Sequence, residues 1–400
     1  MAEKTGEFHT NSTLLDFDNT EIAFKGKTDA ELKASYRLFK LMSNSTLAKI
    51  GPSITQSALK IGLPVSALIK RTLFKQFCGG ETIEECETTI EALAKAYVGT
   101  ILDYSVEGAL NSNAYTHTAE EVVRTITRAK DDPRVPFAVF KPSGVARFKL
   151  LEKVSLGKIL DNAEQVEWFK VKGRVNHICK TAYDMDVPLM IDADESWIQP
   201  AVDNLALEMM RMYNRDKAIV YNTYQLYREG MLSSLQSHYY RSQSEGFIMG
   251  AKLVRGAYMD KERARAARLN YPSPIQENKD TTDKAYNDAL EFCLENINDL
   301  AIVAGTHNEA SCMILTELMK KQQLPEDHPH IYFAQLLGMS DNLSFNLSYF
   351  GYNVVKYVPY GPVKQVLPYL FRRAEENTAI AGHMGRELSL LAAERKRRGI

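Results

Sequence analysis

The sequence predicts an α/β protein, a (β/α)8 TIM-like barrel with an N-terminal helical arm. Three observations lead there. Eight short apolar runs follow Tyr97, separated by longer amphipathic stretches, which is the rhythm of alternating strands and helices. Eight such units in about 300 residues suit a closed barrel better than an open sheet. Finally, no G-x-G-x-x-G follows an early strand, which removes the main support for the rival doubly wound fold.

From about Asp29 to Tyr97, Ala, Leu, Lys and Glu are frequent and apolar residues recur at three- and four-residue spacing, as in Ile69, Leu73 and Phe77, or Ile90, Leu93 and Tyr97. Residues 1–97 therefore read as the helical arm, and 98–400 as the barrel with a C-terminal helix. Strands are expected at 100–106, 136–141, 188–192, 218–224, 250–256, 301–306, 330–336 and 353–360. Helices are expected around 118–130, 162–184, 198–213, 283–299 and 307–322, with Asp260 to Thr282 as the longest loop.

Composition excludes several classes of function. Hydrophobic residues make up 45% and charged residues 25%, and 49 Lys+Arg against 50 Asp+Glu leave a net charge of -1. No global field recruits nucleic acid. The longest stretch without Asp, Glu, Lys or Arg is the 14 residues Asn342 to Val355, short of the roughly 18 that a bilayer-spanning helix needs. Membrane contact is thus expected to be peripheral at most. The first twenty residues carry neither an apolar signal core nor an Arg-rich, acid-poor transit pattern. The five cysteines, Cys78, Cys86, Cys179, Cys293 and Cys312, are scattered without a C-x-x-C pair, so reduced buried thiols and a cytoplasmic location are expected.

In a barrel the active site is built at the strand exits. Here the exits carry Asp103 and Glu107, Lys141, Asp192 with Asp194 and Glu195, Gln225, Arg255 with Tyr258, Thr306-His307-Asn308, Gln335, and Tyr357 with Tyr360. Polarity at a strand end is ordinary by itself. Yet a lysine ending FAVFK and an aspartate ending PLMID put charge at the edge of a core, which requires either a structural partner or a ligand. After the last strand, Tyr369, Arg372, Arg373 and Glu376 share one helix face. That face is either solvated, with an Arg372–Glu376 pair, or a carboxylate site, since a guanidinium fork binds both oxygens of a carboxylate. His307 stands at a helix start, as a cap or packing residue or beside an anion at the free N–H groups. No H-E-x-x-H, P-loop, G-x-S-x-G or paired Cys/His spacing is present, so metal and nucleotide hydrolysis have no positive support.

Together KLVRGAY (252–258), MIDADE (190–195), YNTYQ (221–225), GTHN (305–308) and YVPYGPV with YLFRRAEEN (357–377) resemble, in order and at the matching strand ends, motifs of the proline dehydrogenase family. LDFDNTEIAF (15–24) resembles the N-terminal region of mitochondrial-type members. The family consists of flavoenzymes that oxidise L-proline on a (β/α)8 barrel. The resemblance implies FAD as cofactor, held by Gln225, Lys252, Val254, Arg255, Gly256, Ala257, Thr306 and His307, with Ala193 and Asn308 nearby. It implies Asp192 and Lys252 as catalytic residues and Arg372 and Arg373 on the proline carboxylate. Lys141, Tyr258, Leu336, Tyr357 and Tyr369 would line the substrate pocket, Glu107 would pair with an arginine, and Glu376 would hold its helix. One departure stands out: some bacterial members carry Arg-Leu-Val-Lys where this chain has Lys252-Leu253-Val254-Arg255. Hydrogen-bond geometry around the cofactor must differ accordingly.

The implied reaction moves a hydride from the ring carbon beside nitrogen to flavin N5 and yields Δ1-pyrroline-5-carboxylate. Tyr357 favours proline over hydroxyproline, since relatives that prefer the hydroxylated ring resemble one another in having a small residue there. The missing dinucleotide fingerprint argues against NAD(P) as electron acceptor, and the resemblance implies a membrane quinone, reached peripherally at the inner membrane. The tail around Leu388, Leu390, Leu391 and Arg395 to Arg398 is either a solvated basic end or a contact for anionic lipid. A fused aldehyde dehydrogenase domain does not fit in 400 residues, so a separate enzyme is expected to use the product. Competing readings are another cyclic secondary amine as substrate, a barrel that has lost catalysis, and a related folate reductase.

Overall fold

The computed structural model describes residues 14–43, 67, 69–106, 111–379 and 383–400, without the side chains of 374–379, 383 and 384. Eight parallel strands close into a barrel: β1 (Val98–Tyr104), β2 (Phe137–Phe140), β3 (Leu189–Ile191), β4 (Val220–Gln225), β5 (Met249–Val254), β6 (Leu300–Gly305), β7 (Ile331–Leu336) and β8 (Val354–Tyr360). Each pairs with the next, and β8 closes on β1 over seven residues from Val98↔Val354 to Tyr104↔Tyr360. Period-two alternation decides which side chains face inward. Ile101, Phe137, Val139, Met190, Ala301, Val303, Val355 and Tyr357 fill the interior, while Leu102, Ala138, Phe140, Leu189, Ile191, Ile302 and Val358 face the surrounding helices. The barrel is thus a packed core with its usable space at the strand exits.

The surrounding helices are α4 (Ser112–Ala129), α5 (Phe148–Ser155), α6 (Asn162–Asp184), α7 (Gln199–Tyr213), α8 (Met231–Glu245), α9 (Met259–Leu269), α10 (Lys279–Glu295), α11 (Glu309–Lys321), α12 (Asp341–Tyr349), α13 (Val363–Ala379) and α14 (His383–Arg398). Before the barrel come α1 (Thr20–Phe24), α2 (Asp29–Met42) and α3 (Glu87–Ala94). The expected strands all form, with ends displaced by one or two residues. The expected loop from Asp260 to Thr282 is corrected, because α9 occupies its first half. Its sequence, MDKERARAARL, is rich in helix formers but buries only Glu262 and Ala266, so no apolar stripe announces it.

The arm is also less continuous than expected. A π-helical turn at Lys70–Phe74 and a short helix at Lys75–Phe77 end at Cys78, and the chain then runs alongside the end of β8, with Gly79 N donating to Pro359 O at 2.9 Å. Two glycines permit that approach. A Cβ at Gly79 would lie 2.4 Å from Val358 Cγ1, and one at Gly80 would lie 2.5 Å from Glu85 Cβ. Residues 1–13, 44–66 and 68 of the expected arm lie outside the described residues. A second core joins Phe24, Leu32, Phe39, Phe74 and Phe77 to Val366, Leu370, Leu390 and Leu391, binding the arm to α13 and α14.

The basic tail is solvated only in part. Arg397 and Arg398 both clasp buried Glu394, Arg398 also donates to the carbonyls of Phe24 and Lys27 at 2.7 Å, and Arg395 lies over the Tyr36 ring. Lys396 and Arg397 remain exposed. All five cysteines are free and buried, as expected of reduced thiols. Among the described residues no helix is long and apolar enough to cross a membrane.

Candidate active site

At the barrel mouth three inward positions meet. Lys252 faces inward because its neighbours Ala251 and Leu253 belong to the outer core, and Tyr357 does so opposite outward Val358. Asp192 directly follows β3, two residues beyond inward Met190. Lys252 Nζ donates to Asp192 Oδ1 and, at 2.6 Å, to the Tyr357 hydroxyl, while lying 4.6 Å from the centre of that ring. The Tyr357 oxygen is 3.3 Å from Asp192 Oδ1 and 3.4 Å from Met190 Sδ. The ammonium is only 5% exposed, so the carboxylate and the ring supply what water would otherwise give it. Burial, then Asp192 and Asp103, push the Tyr357 phenol well above its usual range.

A second cluster stands beside it. Lys141, directly after β2, donates to the Tyr258 hydroxyl at 2.8 Å. Burial opposes its charge, but Tyr258, Asp194 and Asp192 outweigh that and hold the ammonium well above the usual lysine range. Burial raises the Asp194 carboxyl against the pull of Lys141. Asp103 belongs to the same electrostatic unit: burial and then Asp192 push its carboxyl up, opposed by the Ser105 hydroxyl at 2.7 Å and by Lys141 and Lys252. In the sequence it is only one polar strand exit among eight. Its place two residues after inward Ile101 was the available sign of an inward side chain.

Over β4 to β6 lies a polar arc. Gln225 is buried at the end of β4, and its Oε1 has no hydrogen-bond partner. Arg255 turns away from Lys252: its Nε binds Asp283 Oδ1 at 2.7 Å, its Nη1 Thr306 Oγ1 at 2.8 Å and its Nη2 Ser311 Oγ at 2.9 Å, with Tyr286 stacked beneath at 4.4 Å. Asp283, Ser311 and Tyr286 carry no motif of their own in the sequence. Gly256 has φ +140°, and a Cβ there would meet the Tyr227 ring at 2.3 Å. Val254 pairs with Gln225 across the strands, Ala257 is exposed and Ala193 is buried. The cap of α11 is Asn308, whose Oδ1 accepts from Ser311 N at 3.1 Å, whereas His307 Nδ1 lies 2.9 Å from Ser340 Oγ.

Above the mouth, Leu336 packs against both the inner core that holds Tyr357 and the second core, between the arm and α13 and α14, that holds Tyr369. Arg373 is nearly buried and lies 5.3 Å over the Tyr369 ring, with Arg372 beside it partly exposed. Glu107 and the side chain of Glu376, and with it the expected Arg372–Glu376 pair, lie outside the described residues. Two clefts occur elsewhere: one of about 330 Å³ beside the starts of β2 and β3, lined by Asp131, Pro133, Val135 and Pro188 among others, and one of about 170 Å³ between α4 and α6. Neither contains a residue of the mouth. At the mouth the charged side chains reach one another across the strand ends.

α9 covers one side. Both carboxylate oxygens of Glu262 accept from Ser196, from its N and its Oγ, at 2.6 Å each, and Lys261 and Arg265 reach Glu195 and Glu152. This latch joins the segment after Tyr258 to the segment after Asp192, and no sequence motif marked it.

The proline dehydrogenase family model matches residues 86–386. The chain is 34% identical over 434 residues to proline dehydrogenase 1, mitochondrial, of Dictyostelium discoideum, covering 97% of this chain and 76% of that one. It is also 34% identical over 322 residues to the carbapenem antibiotics biosynthesis protein CarD of Pectobacterium carotovorum subsp. carotovorum, covering 80% and 83%. Among solved structures, proline utilization A (PutA) from Bdellovibrio bacteriovorus, inactivated by N-propargylglycine, superposes with a TM-score of 0.72 at 17% identity, over 94% of this chain and 40% of that one. The chain thus spans about two fifths of that larger protein, and at such identity the likeness concerns the fold. With the family's model running from α3 into α14, across every strand that carries the mouth, the chain belongs to the proline dehydrogenase family.

Proposed function

We propose that this protein oxidises L-proline to Δ1-pyrroline-5-carboxylate with FAD as its cofactor, passing the electrons to a quinone. The observation that carries the reading is the Lys252–Asp192–Tyr357 cluster at the mouth of a barrel of this family. The FAD assignment is supported by fit: the buried Gln225 Oε1 lacks a partner, and Lys252, Val254, Arg255, Gly256, Ala257, Thr306 and His307 line the same arc, with Ala193 and Asn308 at its edges. When bound, the flavin supplies the hydride acceptor at N5.

The remaining work belongs to the side chains. Arg372 and Arg373 bind the proline carboxylate and fix the ring, and Tyr357, Tyr369 and Leu336 pack against it. The Lys141–Tyr258 pair closes the pocket side. Oxidation needs an uncharged ring nitrogen, because its lone pair forms the C=N bond as the C–H electron pair departs. Lys141, Lys252 and the two arginines disfavour a further cation among them and so favour the neutral amine. Asp192 holds Lys252 in register and keeps the excess positive charge bounded. Glu107 and Glu376 are assigned supporting roles toward the arginines.

A reducing compartment beside a quinone-bearing membrane suits the five free thiols and the quinone, and a separate dehydrogenase takes the product onward. The test is the visible spectrum of the purified protein, followed by anaerobic addition of L-proline, hydroxyproline or NADH in separate cuvettes. Flavin bands at roughly 375 and 450 nm that bleach with proline are expected. Bleaching by hydroxyproline or NADH alone overturns the substrate, and a protein that cannot be loaded with FAD overturns the cofactor.

A further inference from the structure

The turn from β7 into α12 is gripped from several sides. It contains Gly338 at φ +74° and Ser340 at φ +47°, the latter in the left-handed region where a residue with a side chain is uncommon. From the arm, Gln76 Nε2 donates to Gly338 O at 2.9 Å. From β8, Lys356 Nζ donates to Met339 O at 2.8 Å. From α14, the Glu387 carboxylate accepts the Ser340 backbone N–H. Ser340 stands at the start of α12, where a serine usually caps its own helix, yet its hydroxyl makes no cap. It lies 2.9 Å from His307 Nδ1 instead.

We propose that Glu387 is a positioning residue for His307: by fixing the Ser340 backbone it holds the Ser340 hydroxyl on Nδ1 and so sets the orientation and tautomer of the imidazole at the exit of β6. The inference deepens, and rests on, the assignment of His307 to the FAD arc. Its physical basis is that the partner of one ring nitrogen decides what the other nitrogen offers. A serine in a strained turn is free to relax unless its N–H is anchored, and the anchor here is supplied by a helix residue 47 positions further along the chain.

The groups facing Glu387 suit a steady anchor. Asp341 on α12, Lys356 on β8 and Lys27 between α1 and α2 surround it, with Lys356 and Lys27 paired to Asp341 at 2.8 and 3.3 Å. Burial and Asp341 push the Glu387 carboxyl up to about 7. Its carbonyl oxygen accepts the Ser340 N–H whether the acid is ionised or neutral.

The test uses full-length protein with 15N-labelled histidine, the His307 signals being assigned by their loss in His307→Gln. Glu387→Ala and Ser340→Ala are each expected to shift the His307 nitrogen resonances toward a different tautomer ratio and to weaken FAD binding by roughly tenfold, the scale seen when a group orienting a ligand-holding histidine is removed. The double variant is expected to do no more than either single one, and Glu387→Gln, whose amide oxygen can accept the same N–H, to restore most of the wild-type ratio. Unchanged His307 signals in folded Glu387→Ala overturn the proposal, as do additive effects in the double variant. If Glu387→Ala fails to fold, Ser340→Ala decides, because it removes only the hydroxyl. A wild-type protein that binds no FAD sinks the flavin assignment alone, since the nitrogen signals still report the link from Glu387 to His307.

Discussion

At the scale of single residues, Tyr357 concentrates the argument in one oxygen, which meets Lys252, Asp192 and Met190 while its ring lies under the ammonium. A change to serine therefore does two things, opening space and dismantling the charged cluster. Tyr357→Phe separates them: the ring stays and the hydroxyl goes, leaving a buried ammonium short of one partner, which costs about 1–3 kcal/mol. The expected outcome is a fall in kcat/KM for proline of roughly tenfold or more, since about 1.4 kcal/mol is a factor of ten, with the proline-to-hydroxyproline ratio unchanged. Tyr357→Ser is expected to move that ratio toward hydroxyproline. Steady-state kinetics on both substrates checks this, and an equal ratio in all three proteins removes Tyr357 from specificity. Such residues were legible because charge closing an apolar strand is visible in the alternation. Asp103 was half-legible, as its inward register could be counted but its neighbours could not. Asp283, Ser311, Ser340 and Glu387 were not, because their partners lie on other elements and no spacing records a contact between elements.

At the scale of elements, short apolar runs between amphipathic stretches made all eight strands readable, and the helix expected around 162–184 is α6, Asn162 to Asp184, whose start Asp161 and Glu164 fix with a capping box. α9 escaped for a reason that also gives it a role. A helix that buries a glutamate rather than an apolar stripe is held by hydrogen bonds, here those of Glu262 to Ser196, with Arg265 over Trp197 at 4.5 Å. Glu262→Ala removes the carboxylate partner of the half-buried Ser196 N–H and hydroxyl and is expected to lower stability by about 1–3 kcal/mol. Because α9 begins directly after Tyr258, loosening it should raise the KM for proline more than it lowers kcat. Hydrogen exchange confined to residues 259–269, measured beside the kinetics, checks the cause. Unaltered exchange there removes the latch. The break in the arm at Cys78-Gly79-Gly80 has the opposite character: the glycines were visible, but the approach to β8 that requires them was not.

At the scale of the molecule, the first and last described helices, α1 and α14, close on each other. Glu394 of α14 is wholly buried and accepts from Arg397, Arg398 and the Thr20 hydroxyl of α1, while Arg398 reaches on to the carbonyls of Phe24 and Lys27. Burial alone would raise the Glu394 carboxyl, but these arginines and the threonine outweigh it and hold it below its usual 4.5. A carboxyl lowered on folding contributes stability that is fully present above the unfolded value and is lost as the pH falls through the folded one. Glu394→Gln keeps the shape and discards the charge, leaving two partly exposed guanidiniums facing a neutral amide, so a loss of about 1–3 kcal/mol is expected at neutral pH. The gap between wild type and variant should stay constant above pH 5, then narrow as the solution is acidified below 4.5 and the wild-type carboxylate is itself neutralised. Thermal unfolding of both proteins between pH 3 and 8 measures it. A gap that does not narrow in acid would mean that packing, not this ion cluster, joins the two helices.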